Sequence, residues 1–452
     1  MELLIPNRIT DTATYRLHLA YAETQGSELA VLFCDGTARH CESNVEGYRF
    51  KCELCKYRVK KLSRFGAKKV PFSAKKHRWQ STNEIIEKKL HNSAKGIIAS
   101  LEASSDYESF SIKGKNLVGK LTASAMNLYE FLCQKIELDV EFTKYTTFNG
   151  RYPFALATYL ATKDKVQFSA MEIWGQKVPH LSSNKLIHDP THVFESCKKS
   201  YDQIGPEKAT IVSEEYYKAR FMWGGGKSGE INFVEGQVQS DNLLFEHKKD
   251  YIKISVYPSS NFEYNFLPEG YVPLNQALEL ERFINALVAK NFKSEIHLRL
   301  HPNLRRAPSS EYKQFLELLN LQSNDVRLKV HEPHDKTSTY QLMKESDFVV
   351  SFASFSAVEA NYLGKKVLQI GPSRYRLFNI SNIYHTGYDA AKAVFENAVS
   401  SHSNVGSQIF SAGFICPNNE YNELAQKYNS VKEGRLERLF SKLIIALTRY
   451  KV

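Results

Sequence analysis

Apolar residues recur along this chain in two alternating rhythms. Short, nearly continuous apolar runs suit strands buried on both faces. Longer stretches with apolar positions three and four apart suit amphipathic helices. The alternation is most regular in the second half. There the runs 251–260, 295–302, 326–333, 347–354 and 365–371 read as strands. Between them 274–291, 310–321, 337–346 and 355–364 read as helices, the last closed by Gly364 at a C-cap position. The first half yields strands at 28–36, 143–151 and 166–175 and helices around 82–102, 116–136 and 152–163. This order predicts an α/β architecture with parallel sheets joined by right-handed crossovers. Two such halves meet in the polar stretch 235–250, which places an N-terminal domain at 1–243 and a C-terminal domain at 244–452. The tail 434–452 reads as a basic amphipathic helix with Leu436, Leu439, Phe440 and Leu443 on one face.

Composition narrows the class. A chain of 452 residues with 42% hydrophobic content supports two or three globular domains. No run of about 18 apolar residues predicts a membrane span, and the opening lacks a basic region followed by an apolar one, so no secretory signal is expected. Seven scattered cysteines fit a reducing, cytoplasmic setting. Net charge is +11, and ten Lys or Arg without an acid lie between Leu54 and Asn83. Such a run is a solvated basic face, or it meets an anionic membrane, an acidic acceptor or nucleic acid. With no zinc-finger, RRM or helix-turn-helix pattern, nucleic acid is not an expected partner.

Two motifs invite a stronger reading than they support. The loop "WGGGKSG" (223–229) lacks a P-loop glycine, because Phe221 stands five residues before Gly226, so no ATPase chemistry is expected. Cys34, Cys41, Cys52 and Cys55 raise a zinc hypothesis through the Cys52/Cys55 spacing, but the first pair is too widely spaced for a usual knuckle. Four reduced thiols are the alternative, and no metal is assigned.

The chemistry concentrates at strand ends. In an open parallel sheet ligands bind beyond the carboxyl ends of the strands. Arg299, His301 and Asn303 stand at one such end, where Pro302 turns the chain out of the sheet. His301 can donate a ring N–H to a phosphate oxygen, and Arg299 or Arg305 can add charge. Two strands later Ser351, Ser354 and Ser356 lead into a helix whose first turn carries Glu359, a candidate acceptor for ribose hydroxyls. Together these residues suggest a cradle for a nucleotide phosphate.

"RLHPN" (299–303) followed by "SFASFSAVEANYLGKKVLQIG" (351–371) is similar to the His-Pro and Ser-rich motifs of bacterial sialyltransferases and capsular Kdo transferases. A similar pair occurs in the CDP-glycerol polymerases of teichoic acid synthesis. "FNGR" (148–151), "MEIWG" (171–175) and "IHD" (187–189) resemble the order Asn-Gly-Arg, Glu-x-Gly, His-Asp of capsule and O-antigen transferases, with Ile-Trp-Gly after Glu172 in place of x-Gly. The early cysteines also appear in such proteins. The chain thus resembles surface-polysaccharide glycosyltransferases of the GT-B type, over roughly 140–380. The resemblance implies two Rossmann-like domains facing across a cleft, with His301 and Ser354 or Ser356 on the donor phosphate. It implies a nucleotide-sugar donor, favoured as a CMP-activated nonulosonic acid or Kdo, and a glycan, lipid-linked or protein acceptor. No cofactor and no metal are expected, since no Asp-x-Asp motif is present. Acceptor activation needs a base. Glu172, desolvated by Trp174 and Phe168, is favoured, with Asp189 and Asp35 as alternatives. The expected location is cytoplasmic and peripheral on the inner membrane. A sugar-nucleotide epimerase on the same double fold and a basic nucleic-acid-binding protein are the competing readings.

Overall fold

The structure, a computed structural model, describes residues 1–65, 68–74, 83–138, 141–174, 178–223, 237, 242–245, 250–264, 266, 274–416 and 422–431. It contains two compact units. The first holds Met1–Ile98, Phe110–His192 and, near the end of the chain, the helix Asn422–Ser430; the second holds Ala99–Ser109 and Val193–Cys416.

Each unit is built on a six-stranded sheet. In the first, β1 (Glu2–Ile5), β2 (Leu29–Cys34), β3 (Lys68–Phe72), β4 (Lys144–Phe148), β5 (Gln167–Trp174) and β6 (Val178–Leu181) lie in the order β3-β2-β1-β4-β5-β6. All pair in parallel except β6, which runs antiparallel to β5 and sets His180 opposite Glu172. In the second, β7 (Ile252–Tyr257), β8 (Ser294–Arg299), β9 (Val326–His331), β10 (Phe348–Ser351), β11 (Lys366–Ile370) and β12 (Asn382–Tyr384) are all parallel, in the order β12-β11-β10-β7-β8-β9. Each sheet therefore has the doubly wound order, which reverses between its first and fourth strands, β1/β4 and β7/β10. The α/β class of both halves is as the hydrophobic pattern predicts, and their Rossmann-like strand order is as the resemblance implies. The second sheet explains why its strands read as apolar runs: Ile254, Val256, Ile296, Leu298, Val349 and Val350 are all at 0% exposure, as expected of strands covered on both faces.

The sheets fall on either side of 243/244, but the compact units do not divide there. The helix Pro206–Trp223 belongs to the second unit, where Tyr217 donates to the Ser407 carbonyl at 2.9 Å and Ser213 Oγ lies 2.6 Å from Ser411 Oγ. The helix Asn422–Ser430 returns to the first unit, with Arg16 donating to the Tyr428 carbonyl at 2.9 Å and Lys427 paired to Glu23 at 2.7 Å.

Four strands escape the pattern reading because they are short or at edges. β1 and β6 have four residues each and β12 three. β3, "KKVPF", hides within the basic run; its two exposed lysines and Pro71 suit an edge strand that must resist further pairing. The basic run is not one solvated face either. Arg58 is at 0% exposure, donates to the Ile9 and Thr10 carbonyls at 2.9 and 2.8 Å, and lies over the Tyr15 ring. Lys75, Lys76, Arg78, the loop from Gly224 and the tail 434–452 lie outside the described residues. Among the described residues no helix is long and apolar enough to cross a membrane.

Candidate functional site

In the second unit the switch point lies between the carboxyl ends of β7 and β10. β7 stops at Tyr257, three residues short of the expected 260, because Pro258 has no N–H to give the ladder. Ser259 and Ser260 are thereby released into the crevice. Gln276, from the helix Gln276–Ala289, fixes this turn: its Oε1 accepts the Ser259 N–H at 2.8 Å and its Nε2 donates to Asn261 Oδ1 at 2.5 Å. Ser259 Oγ is buried with no partner among the described residues.

His301 follows β8, adjacent to β7. Its Nδ1 lies 3.1 Å from Ser260 Oγ and accepts the Asn303 backbone N–H at 3.2 Å. That acceptance places the ring proton on Nε2. Burial, and then the nearby Arg299 guanidinium, push His301 down to about 4, so the ring is neutral at physiological pH. It can offer a phosphate a neutral N–H but no charge. Arg299 is turned elsewhere: at 2% exposure it donates to the Glu332 and Asp335 carbonyls at 2.5 and 2.9 Å, tying β8 to the loop after β9. Arg305 likewise donates to the Pro333 carbonyl at 2.9 Å.

On the other side of the switch point β10 ends at Ser351, and 352–355 form a turn where the pattern predicts strand to 354 and helix from 355. Ser351 Oγ lies 3.3 Å from Ser356 Oγ, and Ser354 Oγ accepts the Ser356 N–H at 3.3 Å. The helix Ser356–Tyr362 ends as expected: Gly364, at φ +72°, donates to the Asn361 carbonyl and Lys365 to the Ala360 carbonyl, a Schellman closure. Glu359 is occupied by protein. Its Oε1 receives Arg220 Nε and the Tyr340 hydroxyl, each at 2.7 Å, and the residue is 4% exposed.

In the first unit the corresponding crevice is closed by its own side chains. Asn7, after β1, accepts from Thr147 Oγ1 and the Phe148 N–H and donates to the Phe148 carbonyl, each at 2.8 Å, which stitches β1 to β4. The polar chemistry lies one strand further on. Asn149, in a left-handed turn at φ +52°, donates from Nδ2 to Glu172 Oε1 at 2.6 Å. Glu172 Oε2 lies 3.4 Å from both Trp174 Nε1 and His188 Nε2. The three motifs "FNGR", "MEIWG" and "IHD", which are dispersed over 148–189, therefore converge on one carboxylate. Glu172 lies two residues inside β5, which runs on to Trp174. His180, its partner on β6, stacks on Trp174 with centroids 3.9 Å apart.

Asp189 has a different role. It heads the helix Pro190–Ile204, accepting the Thr191 and His192 N–H groups at 2.8 and 3.3 Å and the Thr191 hydroxyl. Burial alone would raise its pKa, but these bonds outweigh that and hold it below the usual range. Asp35 caps its own turn in the same way through Thr37. Among the described residues no three His, Cys, Asp or Glu side chains are arranged to hold a metal ion as they stand.

Ser259, Ser260 and Gln276 were not singled out from the sequence. The available signal was Pro258, which forbids the strand from reaching the serines.

No family model and no curated protein matches the chain. Solved structures with a similar fold include KpsC, a beta Kdo 2,4 transferase from Thermosulfurimonas dismutans, at 12% identity and TM-score 0.35, over 61% of this chain and 80% of that one. A beta Kdo 2,7 transferase KpsC from the same organism gives 13% and 0.34, over 63% and 79%. The UDP-GlcNAc 2-epimerase from Neisseria meningitidis bound to UDP-GlcNAc gives 13% and 0.21, over 100% of both chains. At such identities these likenesses concern the fold and assign no activity, and the doubly wound strand order of each unit stands independently of them.

Proposed function

We propose that this chain is a glycosyltransferase of the GT-B type that moves a sugar from a nucleotide donor to an acceptor hydroxyl. The observation that carries the reading is the Ser260–His301 pair at the β7/β10 switch point, flanked by Ser351, Ser354 and Ser356. It is a set of neutral donors at the place where doubly wound sheets take phosphates. In the first unit the same place is already bridged by Asn7, so the donor is assigned to the second unit.

In the proposed reaction the acceptor oxygen bonds to the anomeric carbon as the sugar–phosphate bond breaks. The bonding pair leaves with the nucleotide phosphate. His301 Nε2–H and the serine hydroxyls stabilise the charge that develops there. Glu172 takes the acceptor proton or positions the acceptor, held for that task by Asn149 and Trp174. Arg299 ties the end of β8 to the loop after β9, and Asn303 sets the His301 tautomer through its backbone N–H. No metal takes part in this chemistry. The favoured donor is a CMP-activated acidic sugar such as a nonulosonic acid or Kdo. The acceptor is a glycan, a lipid-linked intermediate or a protein, and the exposed Lys60, Arg64 and Lys69 would hold the enzyme at an anionic cytoplasmic membrane face.

Thermal-shift titration with CMP, CDP, UDP and GDP tests the reading. One of these, favoured as CMP, raises the melting temperature of the wild-type chain. His301→Ala weakens that nucleotide roughly 10–150-fold, the value of one hydrogen bond to a charged group. A folded chain that responds to none of the four contradicts the proposal.

A further inference from the structure

Four of the seven cysteines are gathered in the first unit. Cys34 ends β2, and Cys41 lies in the irregular segment that follows. Cys52 and Cys55 lie on the helix Arg49–Leu62, three residues apart and so on one face. All four line one pocket of about 620 Å³, its open mouth included, together with Glu42 and Asn44. All four are free thiols.

Apolar packing alone would leave sulfurs facing carbon. Here they face N–H donors. The Gly36 amide donates to Cys34 Sγ at 3.4 Å and Asn44 Nδ2 donates to Cys52 Sγ at 3.2 Å. A neutral thiol is a weak acceptor, whereas a thiolate repays such donors, and metal-bound ligands are supported in this way. The pocket has a second polar oddity. Glu42 accepts the Phe154 amide at 2.5 Å through Oε1, yet its Oε2 is buried with no partner among the described residues. Between β2 and the helix the only strand-type pairing among the described residues is the Cys41–Asn44 bridge.

We propose that Cys34, Cys41, Cys52 and Cys55 form a tetrathiolate site for a divalent cation of the zinc class, which clamps the segment between β2 and the helix. Sulfur ligands of this number select zinc-like ions over magnesium or calcium. On binding, four S–H bonds lose their protons to solvent and four metal–sulfur bonds of about 2.3 Å form, with no change of oxidation state. The thiols as placed do not yet make a coordination shell. The proposal requires them to turn about χ1 towards the pocket that they share. With all four positions filled by protein the ion is structural, and the donor chemistry proposed above does not depend on it.

The test uses the full chain, purified reduced and titrated with Co²⁺ as a coloured zinc substitute. A stoichiometric thiolate-to-cobalt charge-transfer band is expected, abolished by Zn²⁺ competition and lost in Cys52→Ser and Cys55→Ser but kept in Cys133→Ser. In parallel, alkylation with and without chelator is mapped by peptide mass spectrometry. The chelator should expose Cys34, Cys41, Cys52 and Cys55 and leave the labelling of Cys133 and Cys416 unchanged. The proposal is overturned if the folded wild-type chain takes up no cobalt, or if cobalt uptake survives Cys52→Ser. It is also overturned if the chelator does not alter labelling of the four cysteines, a measurement that needs no variant to fold.

Discussion

Glu172 shows what a residue's neighbours add to its identity. As a carboxylate near a strand end it is one of several; held by Asn149 and flanked by Trp174 and His188 it is oriented. If it is the acceptor base, Glu172→Gln lowers turnover by about 10²–10⁴-fold while nucleotide affinity stays unchanged, because the donor grip belongs to the other unit. Nucleotide affinity and turnover measured in the same variant decide this, and a collapse of affinity with turnover intact would sink it. Asn149→Ala should act in the same direction. It removes the 2.6 Å bond to Glu172 and puts an alanine into a left-handed turn that asparagine tolerates. Asp189→Ala separates the two carboxylates. As a helix cap it should cost about 1 kcal/mol of stability, read from urea unfolding, with turnover at saturation retained.

At the scale of elements, the close approach of two helices in the second unit sets a sharp constraint. The helix Gly387–Phe395 starts against the helix Gln276–Ala289, where the Gly387 N–H donates to Glu279 Oε2 at 2.7 Å. A Cβ at Gly387 would stand 1.7 Å from the Glu279 carbonyl oxygen. Gly387→Ala must therefore push the helices apart. It is expected to cost about 1–3 kcal/mol or more, seen as a lower urea midpoint with the nucleotide shift retained in the folded fraction. That contact was invisible in the sequence, and the reason is general for this chain. The strands β7, β8, β10 and β11 were legible because most of their positions are buried, and the edge strand β9 because Val326 and Leu328 alternate with polar residues. β3 was not, since only two of its five positions are buried and it carries two exposed lysines and a proline. His301 and Ser351, Ser354 and Ser356 were legible as residue types at strand ends, but their relation through Ser260 depends on strand order, which brings β7 between β8 and β10. Glu359 looked available because its partners Arg220 and Tyr340 are far away in the chain.

Across the whole molecule, buried histidines tie stability to pH. His18, at 0% exposure and bonded through Nε2 to the Asn7 carbonyl at 3.0 Å, is pushed by burial down to about 4. His301 and His331 are also held at about 4, by burial first, then by Arg299 and by His297 respectively. In the unfolded chain each would titrate near the ordinary 6.5. Above that value both states are neutral and the histidines leave stability unchanged. As pH falls from 6.5 towards 4 only the unfolded chain takes up protons, so stability is lost across that window. For His18 the loss approaches roughly 3 kcal/mol. Glu42 has the opposite sign. Burial raises it to about 7, so the unfolded chain releases its proton first and Glu42 destabilises the fold increasingly between 4.5 and 7. Three histidines outweigh one carboxyl, and the net expectation is an unfolding midpoint that drops steadily between pH 6.5 and 4. The two-domain arrangement also predicts where the acid sensitivity lies: His18 belongs to the first unit and His301 and His331 to the second, so both should lose stability. Equilibrium urea unfolding from pH 8 to 4 measures the slope. His18→Gln, which keeps a donor for the Asn7 carbonyl but cannot titrate, should remove its share of that slope. A slope unchanged by His18→Gln would show that this histidine is not buried neutral in the folded chain.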